Sequence, residues 1–230
     1  GHALGAGDLN ADGKTDLIVG AYGYSSNTGR AYIFYNDGSI PTTAATADVI
    51  ITGEATGNRF GDTLIAGDFN ADGKMDIAIG ASSYGRIYLF YNDGSIPTTA
   101  ATADVIITGE TAGDYFGQRL IASDLNTDGR IDLIAGTNSY SSFTGRAYIF
   151  YSQNGQVNTN KSIAGGATGN KFGSTLAAGD INADGRTDLL VSAPNYSTDT
   201  GRIYAFYNDG SYSADTTGAD VTITGEGTNQ

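Results

Sequence analysis

A nonapeptide of the form D-x-N-x-D-G-x-x-D occurs four times: DLNADGKTD from Asp8, DFNADGKMD from Asp68, DLNTDGRID from Asp124 and DINADGRTD from Asp180. The copies lie 60, 56 and 56 residues apart, and a period of that length confines the chain to an array of like units. Each unit reads as a small-residue segment such as LIAGD, the acidic turn, an apolar run such as DIAIGA, a polar loop, an aromatic run such as GRIYLFYNDG, and a β-branched run such as DVIITGE. Short runs bounded by Gly, Asn and Asp are strand signals, and no window sustains the i, i+3, i+4 spacing of a helix. Four-stranded units repeated without helices predict an all-β chain, a β-propeller of four four-stranded antiparallel blades. The blades are expected at about 1–57, 58–113, 114–169 and 170–230 within a single domain, as a complete small ring or as part of a larger propeller or array.

Composition agrees with this. Strand-favouring residues are plentiful, and 34 Gly against 3 Pro imply many tight turns. The small residues before each acidic turn (LGAGD, LIAGD, LIASD, LAAGD) suit an innermost strand, where neighbouring blades converge. The segment Phe34–Glu54 recurs unchanged as Phe90–Glu110, the mark of a recent duplication, whereas the third unit substitutes YSQNGQVNTNKSIAG for that region. A net charge of -13 repels phosphate backbones and anionic headgroups, so neither nucleic acid nor direct membrane insertion is expected. The absence of cysteine removes disulfides, thiolate catalysis and Cys-ligated zinc.

Three carboxylates in so short a turn repel one another and are costly to desolvate without a cation. A hard divalent ion resolves this, and calcium accepts six to eight oxygens in flexible geometry. Alternate positions 1, 3 and 5 turn their side chains inward, as at the start of an EF-hand loop. Position 7 offers a backbone carbonyl, and position 9 closes the shell from the start of the next strand. The expected ligands are Asp8, Asn10, Asp12, Lys14 and Asp16 in the first unit, and Asp68, Asn70, Asp72, Lys74 and Asp76 in the second. In the third they are Asp124, Asn126, Asp128, Arg130 and Asp132, and in the fourth Asp180, Asn182, Asp184, Arg186 and Asp188. The bidentate Glu that completes an EF-hand is missing, so the helix-loop-helix reading fails. The alternative is that these residues merely cap turns, as NDG at 36–38 does. With Kd near 0.1 mM, millimolar calcium adds about 1.4 kcal/mol per site, and four Ca2+ sites about 5 to 6 kcal/mol.

The order of motifs resembles the FG-GAP repeat family, the blade module of the integrin α-subunit propeller and of many extracellular proteins. Phe60-Gly61, Phe116-Gly117 and Phe172-Gly173 stand for the FG; positions 20–22, 80–82, 136–138 and 192–194 stand for the GAP, with the acidic turn between. The first unit lacks the Phe, and only Ser192-Ala193-Pro194 keeps the proline. The resemblance implies propeller blades and an extracellular or cell-surface location. It also puts the metal loops on the face opposite the ligand.

The loops between second and third strands align Tyr24, Tyr84, Tyr140 and Tyr196, with Arg30, Arg86, Arg146 and Arg202. Such tyrosines can stack on sugars or anchor a protein partner; the plainer reading is blade-to-blade packing, with each Arg paired to a neighbouring acid. Phe143, Asp199 and the shortened loop at 82–85 differ between units, where specificity is expected. No serine has a histidine partner and no phosphate-binding Gly-rich motif is present, so no catalytic residue or organic cofactor is assigned. The repeated Glu54, Glu110 and Glu226 read as structural. Asn160-Lys-Ser and Asn195-Tyr-Ser fit the glycosylation pattern. The expected role is a calcium-stabilised extracellular binding or adhesion module for a glycan or protein ligand. The alternative is a structural repeat packed against neighbouring copies of itself.

Overall fold

The computed structural model describes residues 1–153 and 155–227. Its strands form four antiparallel sheets of four, each meandering in chain order. The first blade contains β1 (Ala3–Gly7), β2 (Asp16–Ala21), β3 (Arg30–Phe34) and β4 (Val49–Thr52). The second contains β5 (Phe60–Gly67), β6 (Asp76–Ala81), β7 (Arg86–Phe90) and β8 (Val105–Thr108). The third is built from β9 (Arg119–Ser123), β10 (Asp132–Thr137), β11 (Arg146–Gln153) and β12 (Gln156–Ala164), and the fourth from β13 (Leu176–Gly179), β14 (Asp188–Ala193), β15 (Arg202–Phe206) and β16 (Val221–Thr224). The all-β, four-blade expectation is met strand for strand.

The divergent third unit has a simple physical outcome. Where the other blades leave the third strand through NDG and a short 3-10 turn, its β11 and β12 continue as a long hairpin with a bulge between Ile149 and Phe150. Asn160 of the first glycosylation pattern lies in β12, and its side chain is outside the described residues.

The chain gathers into two compact units, residues 1–112 with 116–118, and residues 113–115 with 119–230. In the first, the core includes Ile18, Ile33, Ile51, Phe60, Ile77, Ile79 and Phe90. In the second it includes Ile134, Ile149, Ile163, Phe172, Leu189 and Phe206. Period-two apolar positions of the middle strands, which pleating turns to one face, supply Ile18, Ile33, Ile77, Ile79, Phe90, Ile134, Ile149, Leu189 and Phe206, while Ile51 and Ile163 come from outer strands and Phe60 and Phe172 from the FG motifs.

Within each unit the FG and GAP motifs meet. A Cβ placed on Gly20 would lie 2.2 Å from the carbonyl oxygen of Gly61, and one on Gly80 the same distance from that of Gly117; for Gly136 and Gly173 the distance is 2.3 Å. Only a residue without a side chain lets the backbone of the next blade approach so closely. That explains why the small residue recurs where the second strand ends.

Candidate functional site

The acidic turn joins the first and second strands of each blade, where Gly7 pairs with Asp16 and its equivalents follow suit. It is held open by left-handed backbone at position 4 (Ala11, Ala71, Thr127 and Ala183, φ 59 to 62) and at the glycine of position 6 (Gly13 φ 83, Gly73 φ 86, Gly129 φ 82, Gly185 φ 86). Glycine adopts that region without cost, while Ala and Thr are strained there and are kept by the hydrogen bonds around them.

Those bonds converge. Asp8 accepts from Asp12 N–H at 3.1 Å and from Gly13 N–H at 2.9 Å, Asn10 Oδ1 accepts from Asp12 N–H at 3.0 Å, and Asp12 Oδ1 accepts from Lys14 N–H at 2.8 Å. The same four contacts recur around Asp68, Asn70 and Asp72, around Asp124, Asn126 and Asp128, and around Asp180, Asn182 and Asp184. Positions 1, 3 and 5 therefore curl around one side of the turn in every blade. Position 7 carries a cation each time: Lys14 Nζ lies 3.4 Å from Asp12, and Arg186 reaches the carbonyl of Asn208 at 3.1 Å. The first of these is exposed, and the Lys14 backbone N–H holds Asp12 below the usual carboxylate range.

Position 9 is different in kind. Asp16, Asp76, Asp132 and Asp188 are buried, at 1% exposure or less. Each joins two distant N–H groups. Asp16 accepts from Leu9 N–H and Asn36 N–H, both at 2.8 Å; Asp76 accepts from Phe69 N–H at 2.9 Å and Asn92 N–H at 2.8 Å. Asp132 ties Leu125 to Ser152, and Asp188 ties Ile181 to Asn208. The ninth residue thus staples the acidic turn to the exit of the third strand. Burial pushes Asp76 and Asp132 up to about 6, and repulsion from Asp72, and from Asp128 and Asp124, adds to it.

Among the described residues no three His, Cys, Asp or Glu side chains come together as a ready metal cluster. The donor types account for this: positions 1 and 5 supply carboxylates, position 3 an amide oxygen, and the third carboxylate is engaged with the strands beneath. The set is all oxygen, matching a hard cation such as calcium and not an N/S-seeking metal. A carboxylate offers about four lone-pair sites, so two N–H bonds leave Asp16 and its equivalents capacity for a further contact.

The tyrosine loop joins the second and third strands at the opposite end of the same hairpins, where Ala21 pairs with Arg30. Each aligned arginine lies over the tyrosine of its own blade: Arg30 is 3.7 Å from the Tyr24 ring centre, Arg86 4.1 Å from Tyr84, Arg146 3.9 Å from Tyr140 and Arg202 3.6 Å from Tyr196. Arg86 also pairs with Glu54 at 3.0 Å, while Arg30 and Arg202 donate to Thr52 and Thr224 of the outer strand. One face of each ring is covered by guanidinium; Tyr24 and Tyr84 remain about two-fifths exposed.

Two features were not visible as motifs. Ser25-Ser26-Asn27, Ser141-Ser142-Phe143 and Ser197-Thr198-Asp199 each place three successive residues in left-handed backbone, with φ from 46 to 65. And Asn92, of the second NDG, donates to the Leu9 carbonyl inside the preceding acidic turn, as Asn208 donates to Thr127. The recurrence of NDG after the third strand was the available signal for the second feature.

Family models supply the remaining finding. The FG-GAP repeat model matches residues 1–34 and 172–206, and the FG-GAP-like repeat model matches residues 68–135. The chain belongs to the FG-GAP repeat family. FG-GAP relatives include the human phosphatidylinositol-glycan-specific phospholipase D, 31% identical over 85% of this chain and 26% of that protein. Integrin alpha-PS5 of Drosophila melanogaster is 32% identical over 84% of this chain and 20% of that protein. The chain thus spans about a quarter or less of the relatives it matches. A rhamnogalacturonan lyase crystal structure superposes with a TM-score of 0.52 at 14% identity, over 90% of this chain and 46% of that one, a likeness of fold alone. No helix among the described residues is long and apolar enough to cross a membrane.

Proposed function

We propose that these FG-GAP blades form a calcium-stabilised extracellular binding or adhesion module, with one Ca2+ in each acidic turn and ligand contacts at the tyrosine end. The observation that carries it is the fourfold recurrence of one hydrogen-bonded turn with its oxygens gathered at positions 1, 3 and 5. Asp8, Asn10, Asp12, the Lys14 carbonyl and Asp16, with their equivalents, would hold the ion and balance the repulsion felt by Asp76 and Asp132. The extracellular assignment fits millimolar calcium and the integrin alpha and phospholipase D relatives, in which the matched region is only part of a longer protein.

The module is read as non-enzymatic, since the aspartates of its acidic turns have structural partners of the same kind in each copy. The ligand is a glycan or protein met by the exposed sides of Tyr24, Tyr84, Tyr140 and Tyr196. Titration calorimetry with calcium on EDTA-stripped protein tests the metal: four equivalents bound is the expected result, and none overturns it. A glycan array probed with wild-type protein and with Tyr24→Ala tests the ligand end.

A second reading, a structural repeat of a surface array, is favoured by the unchanged Phe34–Glu54 and Phe90–Glu110 segments. Light scattering that stays monomeric at high concentration counts against it.

A further inference from the structure

In the first compact unit the Asn92 side-chain N–H ties the NDG segment of the second blade to the Leu9 carbonyl in the acidic turn of the first. Beside that bond lies a groove of about 260 Å³, walled by Leu9, Ala11, Tyr35, Lys74, Asn92 and Ser95. All of these residues belong to one compact unit, between two four-stranded blades. Tyr35 is packed against the core of that unit, and Asn92 is only 7% exposed, so both are held in place.

At the matching place in the second unit the polar groups serve one another. Arg186, the counterpart of Lys74, donates to the Asn208 carbonyl at 3.1 Å, and Asn208 Oδ1 accepts from Gly210 N–H at 3.3 Å. Tyr212 stands where the second blade has Ile96, and its hydroxyl reaches the Leu125 and Thr187 carbonyls at 3.3 and 3.1 Å. In the first unit the same groups are left over. Lys14 turns back on Asp12, but Asp72 Oδ2 accepts from the Asn70 side-chain N–H at 3.2 Å, and the Lys74 ammonium has no ion pair or hydrogen bond among the described residues. Asn92 Oδ1 accepts from no described residue, and neither the Tyr35 nor the Ser95 hydroxyl has a described hydrogen-bond partner. One cation, one amide acceptor and two hydroxyls therefore line a single concave surface.

We propose that this groove binds one sugar ring that carries a carboxylate, a uronic acid residue of an acidic polysaccharide. Lys74 meets the carboxylate. Asn92 Oδ1 calls for a donor, which a sugar hydroxyl supplies, while the Tyr35 and Ser95 hydroxyls exchange hydrogen bonds with the others. The Tyr35 ring, with Leu9 and Ala11, gives the C–H face of the sugar an apolar wall. The volume falls short of a drug-sized pocket and suits a single ring. A phosphate monoester fits less well, because one ammonium would face two negative charges beside the carboxylates of the first acidic turn. The groove lies at the end of the blades opposite the tyrosine loops, and the inference does not rest on the ligand reading made for them.

The test is a titration of the 15N-labelled full chain, in calcium-containing buffer, with methyl β-D-glucuronide, methyl β-D-glucoside and acetate, followed by amide chemical shifts. The expected result is saturable shifts from the glucuronide centred on Ala11, Tyr35, Asn92 and Ser95. Its affinity should exceed that of the glucoside by about fivefold, the scale of one partly exposed ion pair. Lys74→Met should remove that preference, and Ser95→Phe, which fills the groove from its rim, should abolish binding of both sugars at this place. The proposal is overturned by the absence of saturable shifts, by shifts confined to residues elsewhere, by an unchanged preference in Lys74→Met, or by acetate binding as tightly as the glucuronide. The comparisons with glucoside and acetate use the wild-type chain and hold whether or not either variant folds.

Discussion

At one end of every blade the first and second strands are joined by a turn of one design; at the other end the second and third are joined by turns that change from copy to copy. The acidic turn is closed locally, by bonds between neighbours in sequence, so each copy needs the same residues in the same places. The tyrosine loop is closed through backbone carbonyls, its own and those tied to its surroundings. The left-handed stretch at Ser25–Asn27 is closed by Thr28 and Gly29 N–H donating to the Ser25 and Tyr24 carbonyls at 3.2 and 3.0 Å, and it is anchored where the carbonyls of Ser26, Asn27 and Thr28 accept from Gly57, Arg59 and Phe60 N–H of the segment leading into the second blade, at 3.1, 2.8 and 3.3 Å. Those acceptors are backbone, which any side chain provides, so composition there is free to vary. The second blade exploits the freedom with a shorter loop at 82–85.

If the local end depends on calcium and the other does not, removing the ion separates them. EDTA is expected to cost about 5 to 6 kcal/mol and lower Tm by on the order of 10 to 20 °C, read by calorimetry. An unchanged Tm would place both ends on the same footing. Next in size, Asp132→Ala strands the Leu125 and Ser152 N–H groups in the core, for an expected loss of about 2 to 4 kcal/mol by urea unfolding, with or without calcium. A loss seen only with calcium present would make position 9 a ligand before a staple. Gly80→Ala drives a Cβ against the Gly117 carbonyl and is expected to cost about 1 to 3 kcal/mol, whereas Ser192→Gly at the matching place in the fourth blade changes little.

Acid should reveal the same contrast. Because Asp76 and Asp132 titrate near 6 in the folded metal-free protein and near 3.8 when unfolded, their contribution to stability is present in full below about 3.8 and is lost as the pH rises through about 6. EDTA-treated protein should therefore gain urea resistance from these two groups on going from pH 7 to 5, and Asp76→Asn should flatten that gain. With calcium bound the slope should reverse, since protons then displace the ion. The smallest effect belongs to the tyrosine end: Ser26→Gly relieves one left-handed residue and is expected to stabilise by up to about 1 kcal/mol. A destabilisation instead would mean that the serine side chain, and not the backbone, holds the loop.

The contrast also explains what could be read from sequence. The acidic turns and the strands were legible because local chemistry dictates them: D-x-N-x-D-G fixes its own bonds, and alternation in RIYLF fixes its own faces. The tyrosine–arginine register was legible as spacing, but the stacking of each guanidinium on its own ring was not, since spacing does not say which neighbour an arginine chooses. Asp16 reads as one more carboxylate beside Asp8 and Asp12; that it is buried and faces Asn36 depends on where the third strand ends. The left-handed Ser-Ser-Asn turn carries no glycine to announce it, and it is held through backbone carbonyls that the side chains do not mark.

The duplicated segment offers a measurement that few proteins allow. Phe34–Glu54 and Phe90–Glu110 share every side chain, yet Ala44 is exposed where Ala100 is fully buried, and Ile106 is 39% exposed where Ile50 is less so. Intrinsic hydrogen-exchange rates depend on local sequence and are the same for both, so the ratio of their protection factors reports directly what the neighbouring blade contributes at each amide. The molecule carries its own reference peptide, already folded.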